Sequence, residues 1–153
     1  MEPRRYVKGE LICKDLEEVD ELIFVVKGEY AIGYTLNTKE YLALRLSARS
    51  VIGDYGIMFQ TCSEFLYKVL FDMDCQAIRK AKFLEITDKY GSLAQKLKVK
   101  CFQRYKDIIR KPILDHKQET IQQLMRIKKY DFQLGGLVVD ITHQEEEILK
   151  KEL

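Results

Sequence analysis

Alternating apolar and polar positions mark the first half of the chain, and a three-to-four-residue period marks the second, with the change near Thr87. Tyr6-Val7 and residues 10–13 (Glu-Leu-Ile-Cys) predict one or two short strands around Gly9, and residues 15–21 an acidic loop. Residues 22–27 (Leu-Ile-Phe-Val-Val-Lys) are apolar almost throughout, as a strand covered on both faces should be. Gly28 punctuates that run, residues 29–34 resume it, and Leu36-Asn37-Thr38-Lys39 predicts a turn. Residues 40–46 alternate, with Leu42, Leu44 and Leu46 on one face and Tyr41, Ala43 and Arg45 on the other. Residues 47–50 turn into Val51-Ile52. Phe65 to Phe71 reads as a strand, Asp72-Met73-Asp74 as a turn, and residues 75–78 as another strand, with 79–82 leading to a further run at 83–86. Many short strands at this spacing predict an antiparallel roll, jelly roll or barrel rather than βαβ units.

After Thr87 or Asp88, either of which can cap a helix, Tyr90, Leu93, Leu97, Cys101, Tyr105 and Ile108 form one apolar stripe. Lys96, Lys98, Lys100, Arg104, Lys106 and Arg110 fall mostly off it. That basic face is either simply solvated or addressed to a polyanion or an acidic lipid surface. Pro112 lacks an N–H and disfavours helix at Lys111, which predicts a kink or break. Helical spacing resumes at 113–129 with Ile113, Leu114, Ile121, Leu124 and Met125, and Gly135-Gly136 ends it. Residues 137–141 are a short apolar run. Thr142 and Glu145 then form a capping box for a last helix to Leu153. That helix has only Ile148, Leu149 and Leu153 to bury, so it needs a partner to be ordered. The expected organisation is a β-roll over 1–87, amphipathic helices over 88–130, and an extension with a short helix over 131–153.

Composition narrows the function classes. The 153 residues are 46% hydrophobic and 33% charged, enough for one domain with a core. A net charge of +2 gives no case for nucleic acid. No run is long and apolar enough to span a bilayer, and the N-terminus lacks the apolar core of a signal peptide. Cys13, Cys62, Cys75 and Cys101 form no CxxC pair and stand apart from His116 and His143, so no zinc spacing exists. Free, largely buried thiols in a reducing compartment are the expectation. Both histidines sit in charged, exposed helical contexts with no readable triad, so no enzyme is expected.

The stretch 51–70 holds the candidate chemistry. Strand, Gly53-Asp54-Tyr55-Gly56, one helical turn, strand is a layout that cradles phosphate with backbone N–H groups. The same residues also make a tight turn whose aspartate caps the helical turn. Tyr55, Phe59, Phe65, Tyr67 and Phe71 either line a pocket there or fill it.

The order of elements resembles a cyclic nucleotide-binding domain. Residues 22–33 (Leu-Ile-Phe-Val-Val-Lys-Gly-Glu-Tyr-Ala-Ile-Gly) look like that family's strand, Lys-Gly, strand signature. Val51-Ile52-Gly53-Asp54 looks like the start of its phosphate-binding cassette, and residues 77–86 look like its last strand running into a hinge helix. Residues 105–113 (Tyr-Lys-Asp-Ile-Ile-Arg-Lys-Pro-Ile) look like the region following this domain in ciliate-type voltage- and nucleotide-gated cation channels. With no pore segment here, the chain would be an excised or free-standing module. The resemblance implies an acidic residue for the ribose 2′-hydroxyl, matched by Asp54, and an arginine for the cyclic phosphate, which nothing between Asp54 and Tyr67 supplies. Glu64 adds a negative charge there instead.

A hydrogen bond to a charged group contributes roughly 1.5–3 kcal/mol, and a guanidinium makes two. An inward Glu64 adds up to about 4 kcal/mol of repulsion at an effective dielectric of 20. Together these predict at least a ten- to hundredfold loss of affinity, unless Lys68, Arg45 or Arg49 turns inward. The expected site is therefore a vestigial pocket of Gly53, Asp54, Tyr55, Gly56, Ser63, Glu64 and Tyr67, without its cation. The expected function is a non-enzymatic regulatory or scaffolding module that works through protein contacts and needs no cofactor. Its partner would be another protein or a parent channel, in the cytoplasm or on the cytoplasmic side of a membrane complex. The alternatives are a cAMP or cGMP sensor, with Asp54 on the ribose, and a structural subunit of a larger assembly.

Overall fold

Three long antiparallel strands carry the fold. β3 (Glu21–Leu36) lies between β4 (Lys39–Ser47) and β6 (Leu66–Arg79), and β6 pairs on its other edge with β1 (Glu2–Tyr6). β2 (Leu11–Cys13) joins β6, and β5 (Val51–Ile52) joins β3, which completes a six-stranded antiparallel β-roll. The computed structural model describes residues 1–135, with side-chain surroundings through Lys128. The helices are α1 (Asp54–Met58), α2 (Lys80–Lys89), α3 (Gly91–Arg104) and α4 (Lys111–Gly135), with a π-helical segment, Tyr105–Arg110, joining the last two. Tyr30, Ile32, Leu36, Val69 and Met73 from the strands pack with Ile113 and Ile121 of α4 into one core. The predicted class, an antiparallel roll followed by C-terminal helices, is the one observed.

Several local expectations need correction. The strand predicted at Tyr6-Val7 lies earlier, over Glu2–Tyr6. Asp72-Met73-Asp74 is no turn: β6 runs through it, with Met73 fully buried between two exposed aspartates. Aspartate favours turns, but here it supplies the polar half of a strand alternation. Opposite it, Gly28 does not end its strand either. Its φ is +104°, and a Cβ there would stand 2.5 Å from the Asp72 carbonyl oxygen, so only glycine lets β3 cross β6 this closely. The pairing slips register between Val25 and Tyr30, which bends both strands rather than breaking them.

In β4 the pairing passes from Ile32–Leu44 to Gly33–Leu42 and leaves Ala43 as an extra residue. That bulge turns Leu42 outward and Tyr41 inward, so the predicted three-leucine face does not form.

Helix begins at Lys80, not Thr87, and residues 83–86 are helical rather than a strand. Lys80, Ala81, Lys82, Leu84 and Glu85 are good helix formers, and that preference outweighs the short apolar run. Thr87 donates to the Leu84 carbonyl inside α2 instead of capping a start. The apolar stripe is buried only in its middle: Cys101 and Tyr105 are covered, while Tyr90, Leu93, Leu97 and Ile108 are 43–60% exposed. No break occurs at Pro112. Lys111 keeps right-handed helical geometry, and α3, the π segment and α4 run as one rod from Gly91 to Gly135. The irregularity is the π segment itself, which shifts the hydrogen-bond ladder just before a residue that cannot donate.

His116 is half-buried rather than exposed. Its Nδ1 lies 2.6 Å from the Tyr34 hydroxyl, which also bonds Thr120 Oγ1 at 2.8 Å, tying α4 to β3. Of the cysteines, Cys75 and Cys101 are buried, Cys13 is half-buried and Cys62 exposed, all as free thiols. Gly136, the run at 137–141, His143 and the Thr142–Glu145 capping box lie outside the described residues. Among the described residues no helix is long and apolar enough to cross a membrane.

Candidate functional site

The Gly53 turn projects the short α1 across the open end of the roll. Gly53 caps α1 with φ +92°, and a Cβ there would meet the Glu21 carbonyl at 2.6 Å, so the β5–α1 corner requires glycine. Asp54 is therefore the first residue of α1 rather than its cap, well placed for the helix dipole.

The seven candidate residues, Gly53, Asp54, Tyr55, Gly56, Ser63, Glu64 and Tyr67, all line one cavity of about 170 Å³. That is below the roughly 300–1,000 Å³ of ordinary small-molecule pockets. The acidic loop forms the facing wall with Glu17, Glu18, Asp20 and Glu21. It is fastened there by the Ser63 N–H to the Glu17 carbonyl at 2.9 Å and the Leu16 N–H to the Ser63 carbonyl at 2.7 Å. The Ser63 hydroxyl is used locally, donating to the Phe65 carbonyl at 2.7 Å. Val19, from the same loop, fills the space beside both glycines: Cβ atoms built at Gly53 and Gly56 would lie 2.9 and 2.6 Å from its methyls. The backbone face that a phosphate would approach carries an isopropyl group instead.

Six carboxylates and, among the described residues, no basic side chain line this cavity. Lys68 and Arg45 do not turn inward; they pair with Glu40 and Glu29 on the outside of the sheet. Arg49 is exposed at a turn with φ +69°.

The expectation that no cation stands beside Asp54 is nevertheless wrong. The cation arrives from α3: Arg104 Nη2 is 2.6 Å from Asp54 Oδ2, and Asp54 is only 18% exposed. Glu64 is held the same way from the π segment, accepting from Tyr105 Oη at 3.0 Å and from Arg110 Nε at 3.0 and 3.1 Å. Between these two contacts the Tyr105 ring stacks on Tyr55, with centroids 3.8 Å apart and planes at 7°. Tyr67, on the cavity floor, stacks on Tyr30.

Burial and the adjoining Glu64 carboxylate push the Tyr105 phenol well above its ordinary range. Burial, and then the Asp54 carboxylate, push the Cys101 thiol up to about 12. Neither group ionises near neutrality. Among the described residues no group of three or more His, Cys, Asp or Glu is arranged to hold a metal ion.

Arg104, Tyr105, Arg110, Val19 and the loop acids are the site members that sequence reasoning missed. Their one local signal was the stripe position of Tyr105, flanked by Arg104 one residue before and Arg110 five after.

No protein-family model matches the sequence, and no curated relative does. Solved structures are similar in fold. The cAMP-bound PfPKA-R aligns with a TM-score of 0.52 and 20% identity over 56% of this chain and 30% of that one. A cAMP-bound form of the EAL enzyme Bd1971 aligns at 0.58 and 17% identity over 82% of this chain and 32% of that one. A putative cyclic nucleotide-binding protein from Geobacter metallireducens aligns at 0.53 and 15% identity over 61% of this chain and 67% of that one. This chain thus spans about a third of the first two. The shared feature is the cyclic nucleotide-binding β-roll with its following helices.

Proposed function

We propose that this chain is a non-enzymatic regulatory module whose cyclic nucleotide-binding fold no longer holds a cyclic nucleotide and instead holds its own helices. One observation carries the reading. The two cup carboxylates, Asp54 and Glu64, are each satisfied by side chains from α3 and the π segment, over a cavity lined by acids. A cyclic phosphate placed there meets six carboxylates and no cation of its own, and desolvating an unpaired anion is costly. Output then passes through protein contacts made by the helices, held down or released. The free cysteines fit a reducing compartment inside the cell. A parent cation channel belongs to this proposal on the strength of residues 105–113 alone.

Thermal unfolding with millimolar cAMP or cGMP tests it, and no rise in midpoint is the expected result. A ligand at a hundred times its Kd adds about 2.7 kcal/mol, on the order of 5–10 °C for a domain this size, and a rise of that kind overturns the proposal.

The sensor reading has one observation in its favour: a guanidinium, Arg104, does stand beside Asp54. It requires a calorimetric cAMP or cGMP signal that Asp54→Ala abolishes.

A further inference from the structure

A shallow groove runs along the outside of the rod, away from the cup cavity. Phe59, the residue that ends α1, forms one wall, and Lys98, Val99, Phe102, Lys106 and Asp107 of α3 and the π segment form the other. Val99 and Phe102 are 56% and 45% exposed, an apolar strip no other part of the described chain covers. Phe102 tilts against Phe59 at 5.9 Å between centroids, and Lys98 Nζ sits 5.1 Å over the Phe59 ring. Among the described residues, neither Lys98 nor Lys106 takes part in a salt bridge. They lie about 12 Å apart along the axis at 1.5 Å per residue. From Gly91 to Arg104, α3 carries four basic residues and no acidic one.

The sequence contains a match to this strip. At helical spacing, Glu145, Ile148, Leu149 and Glu152 share one face, with Lys150 and Lys151 off it. Its two carboxylates fall about 10 Å apart, bracketing the apolar pair as the two lysines bracket Val99 and Phe102. We propose that the α1–α3 groove of one copy receives residues 143–153 of a second copy of this chain.

Reach assigns the occupant to a second copy. Phe102 lies about 50 Å down the rod from Gly135. The connection 136–142 spans at most about 25 Å, and a helical 143–153 adds about 15 Å. The reciprocal exchange of two such segments closes on itself at two chains. This inference uses a surface apart from the cup and stands whether or not the cup binds a nucleotide.

Sedimentation equilibrium of the full chain tests it. Self-association to twice the 18.1 kDa monomer mass is expected. Lys98→Glu with Lys106→Glu should weaken association at least tenfold, as should Glu145→Lys with Glu152→Lys, a variant that leaves the groove untouched. Mixing the two variants, or placing all four changes in one chain, should restore it. Every position changed in the groove is at the surface, and an unchanged far-ultraviolet circular dichroism spectrum checks that the variants are folded. A chain that stays monomeric at all concentrations overturns the proposal. So does a dimer indifferent to both charge reversals, or one that the combined reversal fails to rescue.

Discussion

The two halves of the helical rod are attached to the roll by different chemistry. α4 is sewn into the core: Ile113 and Ile121 are fully buried, and His116 and Thr120 bond the buried Tyr34. α3 and the π segment bury only Cys101, Tyr105 and Ile109, and add two arginine–carboxylate pairs, a tyrosine stack and a phenol hydrogen bond, while most of the apolar stripe stays in water. Burial of apolar side chains does not depend on salt or a competitor, and each such residue is worth roughly 1.5–3 kcal/mol. Partly exposed ion pairs contribute about 0–1 kcal/mol and yield to screening. One rod thus has a permanent end seated in the core and an end whose smaller apolar contact is supplemented by ion pairs over the cup.

The sharpest way to break this contrast is at the permanent end. Ile113→Ala should lower the unfolding free energy by about 2–5 kcal/mol in a denaturant melt, as cavity-forming core truncations do. A loss under about 1 kcal/mol means α4 is not anchored as described. Next comes Arg104→Ala, which strands the mostly buried Asp54 carboxylate at about 1–3 kcal/mol. Hydrogen exchange should then quicken in residues 91–104 and stay slow in 111–128; equal quickening of both removes the distinction between the halves.

Alkaline pH probes the same end without mutation. The Cys101 thiol is raised from 9.0 to about 12 in the fold, so the unfolded chain loses that proton first. Its contribution is complete below pH 9 and is lost as pH climbs toward 12, on the order of 1 kcal/mol per pH unit at most. Cys101→Ala should flatten that slope. The smallest effect belongs to Arg110→Ala: that pair is 49% and 42% exposed, so the loss should stay below about 1 kcal/mol and vanish in molar salt.

What the sequence revealed and what it hid divide along the same line. Local signals located much of the roll: the apolar run at 22–27 is strand and Asn37-Thr38 is a turn, and the seven residues picked out around Gly53 share one cavity, though Gly53 rather than Asp54 caps α1. Where the reading failed locally, two preferences competed in one short stretch, as with the aspartates flanking Met73 or the helix formers that outvoted residues 83–86. The arginines on the cup were hidden for another reason. Arg104 lies 50 residues from Asp54, and Arg110 lies 46 from Glu64, so no window of sequence holds both members of either pair. On their helix they read as part of a solvated basic face, which tertiary packing alone could reassign.

The π segment between the halves has a mechanical corollary. A helix that closes its bonds at i+5 stores one surplus residue relative to i+4 winding. Rewinding Tyr105–Arg110 to ordinary α pitch would swing the upstream rod by about 100° while α4 stayed in place. The Arg104–Asp54 pair therefore also fixes the rotational register of α3 against the roll.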